Sequence, residues 1–143
     1  MRKLLIYVLP NKMMSHTLII TSIVGLILSI YALYVGLRAK ENKNYKAACD
    51  ISDKASCTKA FSSSYGKMFG VSNSIVGAGF YLLVIFLAYY TQYKLIFYLS
   101  ALSLLITIYL AYVLYIKMKN LCIVCTAIYL INILLFIFAY AGR

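Results

Sequence analysis

Four stretches of this chain carry no Lys, Arg, Asp or Glu: residues 13–37, 68–93, 95–116 and 120–142. Each is long enough to cross a hydrocarbon layer about 30 Å thick, which takes roughly 20 helical residues. All 14 basic and 3 acidic residues are confined to the segments between and flanking them. In lipid the backbone must satisfy its own hydrogen bonds, so uncharged stretches of this length fold as helices. The composition agrees, with 64% of residues hydrophobic and 12% charged. One soluble core of this size cannot hide that much apolar surface. A soluble enzyme, a disordered tail and a nucleic-acid-binding domain are excluded. The chain reads as an all-α integral membrane protein.

The net charge of +11 takes its meaning from that setting. On a soluble domain it would point to nucleic acid. Here the lysines flank apolar spans, where they meet anionic headgroups or orient helices.

Transmembrane helices are expected at 14–37, 74–92, 95–116 and 121–141, with Gly77 and Gly79 weakening the start of the second. The short links 92–94 and 117–120 make helices 2–3 and 3–4 antiparallel neighbours. The expected architecture is a single domain over residues 1–143, a bundle of four transmembrane helices. Met1–Lys3 and the apolar run Leu4–Leu9 look like the start of a signal peptide, but Pro10, Asn11 and Lys12 interrupt it and no small-residue cleavage site follows helix 1. Residues 1–13 read as an interfacial lead-in to a retained helix 1. The long connection, 38–73, has the length of a functional loop. Phe61, Tyr65, Met68 and Phe69 recur at helical spacing in its second half, which suits a short amphipathic helix over 57–70 capping the bundle. His16 falls at the opposite end of helix 1 and reads as interfacial.

The four cysteines are Cys49 and Cys57 in the long loop and Cys122 and Cys125 at the start of helix 4. Helix 1 exits on one face and helices 2 and 3 return the chain to it, so all four lie on the same side. Cys122-Ile-Val-Cys125 places two thiols on one helical face, with Asn120 as a candidate N-cap. The partial positive charge at a helix N-terminus favours a thiolate there. Taken alone, the helical pair could equally fill a packing gap. The loop pair could be a static disulfide, and all four could bind zinc, although the loop spacing does not suit a zinc knuckle. Two dithiols on one face also suit a relay, in which the loop pair meets a protein and the helical pair meets something in the lipid.

The ordered set Cys49-Asp50, Cys57, Phe61-Ser-Ser63, Asn73-Ser-Ile, Phe80-Tyr81, Cys122-Ile-Val-Cys125, Tyr129 and Asn132 resembles the vitamin K epoxide reductase family. The resemblance implies a quinone-linked thiol oxidoreductase on a four-helix transmembrane bundle, with a menaquinone, ubiquinone or vitamin K type quinone as co-substrate and no metal. It implies Cys122 and Cys125 as the active-site pair, with Cys125 nearest the quinone. Cys57 would exchange with Cys122, and Cys49 with a thioredoxin-like partner. Asn73 and Tyr129 match residues that hydrogen-bond quinone oxygens; Phe61, Ser63 and Tyr81 match positions lining that pocket. An amide and a phenol can donate to a quinone without placing a full charge in lipid, where charges are costly. Tyr65 stands where animal members tend to carry Trp, and Val76 where an aromatic often packs near the quinone. Microbial relatives oxidise protein dithiols, and many carry a fused thioredoxin-like domain. With the sequence ending at Arg143, the partner is expected to be a separate protein. The alternatives are a dithiol-driven vitamin K epoxide reductase and a non-catalytic membrane scaffold stapled by disulfides.

Orientation is contested between two rules. Family precedent puts the cysteines outside the cytoplasm. The cysteine side, however, carries Arg38, Lys40, Lys43, Lys46, Lys54, Lys59, Lys67, Lys117 and Lys119, against Arg2, Lys3, Lys12, Lys94 and Arg143 opposite. The positive-inside rule therefore favours the cytoplasm for the cysteines.

Overall fold

The computed structural model describes residues 2–64, 67–68 and 70–142, with side chains from Lys12 onward apart from that of Met68. Helix α1 runs unbroken from Arg2 to Glu41. The lead-in before residue 14 is thus helical from Arg2 onward and continuous with the first expected span. Near a membrane its N–H groups find no better partner than the preceding turn, which outweighs the one bond that Pro10 removes.

The long loop ends in α2 (Cys57–Ser62), capped by Ser56, whose hydroxyl accepts the Lys59 N–H at 3.2 Å. The amphipathic helix expected over 57–70 stops here. Ser62, Ser63 and Ser64 compete for backbone hydrogen bonds, and Gly70 takes φ +81°, a turn conformation glycine adopts at no steric cost. The chain forms a small antiparallel hairpin instead, β1 (Lys67–Met68) with β2 (Val71–Ser72), pairing Lys67 with Ser72 and Met68 with Val71. Tyr65 and Phe69 lie outside the described residues.

Helix α3 (Asn73–Tyr89) starts at Ser72, whose hydroxyl accepts the Ser74 N–H. It ends earlier than the expected 92, because a tight turn through Thr91 at φ 56° intervenes before α4 (Tyr93–Tyr112). A π-helical turn, Val113–Lys117, continues α4, with the Met118 N–H reaching the Val113 carbonyl at 2.9 Å. Lys119 at φ 48° then redirects the chain into α5 (Ile123–Gly142).

Lys12–Glu41, Tyr93–Lys117 and Ile123–Gly142 are each long and apolar enough to cross a membrane, while α3 is apolar but 17 residues long. The protein is a membrane protein, and its side chains are sorted accordingly. Ile20, Ile27, Leu82, Phe86 and Leu105 are each more than half exposed on the outside, whereas Ser22, Ser29, Ser100, Thr107 and Asn132 are buried. Of these, Thr107 and Asn132 hydrogen-bond between helices, which gain nothing from hydrophobic exclusion in lipid, and Ser100 donates to the Phe97 carbonyl of its own helix.

Helix α1 packs against α3 and α5, and α4 against α5 and α3. One core cluster joins Leu18, Tyr81, Val84, Ile96, Leu135 and Ala139. The Tyr81 hydroxyl donates to Asn132 Oδ1 at 2.8 Å, and Asn132 Nδ2 donates to Thr107 Oγ1 at 2.8 Å, so one polar chain ties α3, α5 and α4 together. Gly25 is required beside it, since an added Cβ would lie 2.5 Å from Tyr81 Cζ. The second cluster, which carries the cysteines, lies where α1, the long loop, α2, the π turn and the start of α5 meet.

Candidate functional site

Short local rules build the loop half of the site. Asp50 organises the turn between Cys49 and Cys57. Its Oδ2 accepts the Thr58 hydroxyl at 2.5 Å and the Ala47 N–H at 3.1 Å; its Oδ1 accepts the Thr58 N–H and the Ser56 hydroxyl, both at 3.1 Å. Burial pushes the Asp50 carboxyl up, but these hydrogen bonds together outweigh it and hold the group below the usual carboxylate range. Within the frame so formed, Cys49 and Cys57 are joined by a disulfide, with Cα atoms 6.1 Å apart. The Tyr31 hydroxyl on α1 lies 3.9 Å from Cys49 Sγ.

The helical half is built by the start of α5. Cys122 immediately precedes the helix, and its sulfur accepts the Cys125 N–H at 3.2 Å while its carbonyl accepts the Thr126 N–H at 2.9 Å. These are the bonds of an N-cap, so the capping role expected of Asn120 belongs to Cys122. Its sulfur thereby takes one of the free N–H donors at the positive end of the helix, an arrangement that stabilises a thiolate. Cys122 and Cys125 are free and buried.

Asn120 grips the loop instead. Its Oδ1 accepts the Ser56 N–H at 3.0 Å, its Nδ2 donates to the Ser56 carbonyl at 2.7 Å, and the next residue, Leu121, donates its N–H to the Lys54 carbonyl at 2.7 Å. Cys57, Cys122 and Cys125 share one buried cluster, with Cys49 packed against it.

Beside the cysteines is an apolar cavity of about 100 Å³. Cys125, Tyr129, Asn73 and Phe61 line it, together with Ser29, Gly77, Val113, Leu114 and Met118 among others. Tyr129 follows Cys125 by four residues and so shares its helical face; Asn73 is the first residue of α3. Gly77 permits the close approach of α3 to α1, since a Cβ there would stand 3.1 Å from Ser29 Oγ.

The nine residues singled out from the sequence therefore divide. Cys49, Cys57, Cys122 and Cys125 converge, and Asn73, Phe61 and Tyr129 reach the cavity beside them. Ser63 stands one step back, donating its hydroxyl to the Ala60 carbonyl at 3.1 Å and to Sδ of the cavity residue Met118 at 3.7 Å. Tyr81 does not line the cavity: its hydroxyl is spent on Asn132 within the other cluster. Val76 lies largely exposed on the outer face of α3. Met118, the π turn and the bracing role of Asp50 are not read from the sequence, and Asn120 is read there as an N-cap and not as the grip on the loop. Asp50 carries a local signal, an Asx residue in a short polar turn.

A membrane helix bundle here brings a loop disulfide against a free Cys-X-X-Cys beside an apolar cavity. The sequence comparisons place it more closely. Residues 16–140 match the vitamin K epoxide reductase family, and the chain belongs to that oxidoreductase family. It is 35% identical over 132 residues to mouse vitamin K epoxide reductase complex subunit 1, covering 81% of this chain and 82% of the mouse protein. To the rat protein of the same name it is 36% identical over 124 residues, covering 76% and 77% respectively.

Proposed function

We propose that the protein is a quinone-linked thiol oxidoreductase that makes disulfides in a thioredoxin-like partner, on a single domain crossing the membrane four times through α1, α3, α4 and α5. At 1.5 Å per residue α3 is about 26 Å long, close to the hydrocarbon thickness. The observation that carries the reading is the placement of Cys125, which faces the apolar cavity with Asn73 and Tyr129 while its Cys-X-X-Cys mate Cys122 is clustered with Cys57.

In this reading a partner thiolate attacks Cys49, breaks the Cys49–Cys57 bond and forms a mixed disulfide. The partner's second thiol resolves it, leaving the partner oxidised and both loop cysteines reduced. The Cys57 thiolate then attacks Cys122 of the oxidised helical pair and Cys125 leaves. Attack of Cys49 on Cys57 restores the loop disulfide and frees Cys122. The helical pair is reoxidised when two electrons and two protons pass to the quinone. Tyr31 offers its hydroxyl to Cys49 when that sulfur leaves as a thiolate, and the Cys125 N–H does the same for Cys122. Asn73 and Tyr129 would hold the quinone, with amide and phenol donors for its carbonyl oxygens. The remaining lining is largely apolar and suits a quinone ring.

The test is reduction of a soluble quinone by purified protein in detergent with a dithiol donor, comparing wild type with Cys125→Ala. Turnover that vanishes in the variant supports the relay. No turnover in either, with the protein folded, sinks the enzyme reading and leaves a disulfide-stapled scaffold. The names of the mouse and rat relatives favour a second reading, reduction of vitamin K epoxide by dithiols. Supplying the epoxide and following its loss separates the two.

A further inference from the structure

The buried amide of Asn120 has a role that the exchange steps above do not use. Its two polar atoms are both committed to one residue, Ser56, 64 positions away. The carbonyl it holds belongs to the peptide unit that joins Ser56 to Cys57. Asn120 itself lies two residues before Cys122. The side chain therefore spans the gap between the backbone carrying one exchanging sulfur and the backbone carrying the other. The Leu121–Lys54 hydrogen bond closes the same seam from a second point. Asn120 is 5% exposed, so water does not compete for these bonds, and losing the amide strands the Ser56 N–H and leaves its carbonyl only the helix bond of an N-cap.

Building on the relay reading, we infer that Asn120 is a positioning residue for the exchange between Cys57 and Cys122. Exchange needs the attacking sulfur in line with the disulfide it attacks, and small misplacements lower such rates steeply. A two-point grip on Ser56, through the two peptide units that flank it, fixes both the distance and the rotation of the segment before Cys57, which a single hydrogen bond cannot do. Asn is suited to the task because it pairs with an N–H and a C=O of the same residue at once. Asp would keep the acceptor and lose the donor.

The test isolates the two sulfurs. In a Cys49→Ala/Cys125→Ala background only Cys57 and Cys122 remain. The reduced protein in detergent is treated with diamide, a two-electron thiol oxidant that takes both hydrogens as the Cys57–Cys122 bond forms. Bridging is followed by gel shift after maleimide labelling. Adding Asn120→Ala is expected to slow bridging about five- to fiftyfold, and Asn120→Asp to fall between. The rate of Cys122 alkylation, expected to stay close to the parent's, separates positioning from general loosening, while the melting temperature is expected to fall by a few degrees for the lost buried hydrogen bonds. Equal bridging rates with and without Asn120 would overturn the inference, as would a parent that never bridges. If the Ala variant fails to fold, Asn120→Asp carries the comparison alone. Loss of quinone turnover in the native chain alongside Asn120-dependent bridging would sink the enzyme reading and leave this placement standing.

Discussion

Asp50 takes both polar hydrogens of Thr58, the hydroxyl at 2.5 Å on Oδ2 and the N–H at 3.1 Å on Oδ1, across the turn that the Cys49–Cys57 disulfide closes. These bonds favour the ionised carboxyl and lower its pKa in the folded state. Their contribution to stability is therefore complete above the unfolded carboxylate value of about 3.9 and is lost as pH falls through the lower folded value. Reduction of the loop disulfide by a water-soluble phosphine, which acts in acid, should be slow and even above about pH 5 and quicken below about pH 4. Asp50→Asn should be fast across the range. A wild-type profile without the acid rise would show that the carboxylate does not hold the turn.

The Tyr81 hydroxyl serves the bundle, and its removal should read out as stability. Tyr81→Phe strands Asn132 Oδ1 in the core and should cost about 0.5–2 kcal/mol. Unfolding in detergent, followed by exposure of Cys122 and Cys125 to a thiol probe, measures the loss. Quinone turnover per folded molecule should stay near that of wild type. A large rise in quinone KM at unchanged stability would return Tyr81 to the quinone pocket.

Gly25 should be intolerant of even one methyl group. Its added Cβ would press on the Tyr81 ring at 2.5–2.9 Å, and overpacking of this kind costs about 1–3 kcal/mol. Gly25→Ala should lower the melting temperature, and combining it with Tyr81→Leu should recover part of the loss. Additive losses in the double variant would mean that the two residues do not clash.

Tyr129 shares the cavity with Cys125, so its phenol should matter to the quinone half-reaction alone. Tyr129→Phe should cut quinone-dependent turnover roughly a hundredfold to a thousandfold, the scale of losing one donor to a developing oxyanion. Reduction of the loop disulfide by a protein dithiol should be unchanged. Equal slowing of both halves would point to a general structural role instead.

Much of this arrangement was legible from residue order. The four uncharged windows become α1, α3, α4 and α5 with boundaries displaced by a few residues, apart from the long forward extension of α1 past Pro10. Helix parity put the four cysteines at one end because counting crossings needs no side-chain detail. The Asn120–Ser56 grip escaped because it links residues 64 apart through side chain and backbone, and no periodicity records such a contact. Asn120 has the local look of an N-cap, and only the observed start of α5 shows a sulfur in that place. The π turn at 113–117 escaped for a related reason: one extra residue per turn over so short a stretch leaves no distinct pattern in an apolar run. Tyr81 was associated with the quinone pocket through its neighbours in the motif; its partner Asn132 lies 51 residues away on another helix.

The inward-facing polar groups have a further consequence for assembly. An apolar helix pair in lipid can slide by a turn, about 5.4 Å, and still present leucine to leucine. The Tyr81–Asn132–Thr107 chain and the Ser15 hydroxyl on the Ala88 carbonyl at 2.8 Å remove that freedom, because a slipped helix leaves amide and hydroxyl groups facing hydrocarbon. They act as detents on a sliding scale: association is permitted everywhere, but the helices lock at one setting. The register of the bundle, and with it the depth at which Cys125 meets the cavity, is set from the middle and the opposite end of the bundle by residues outside the cysteine cluster.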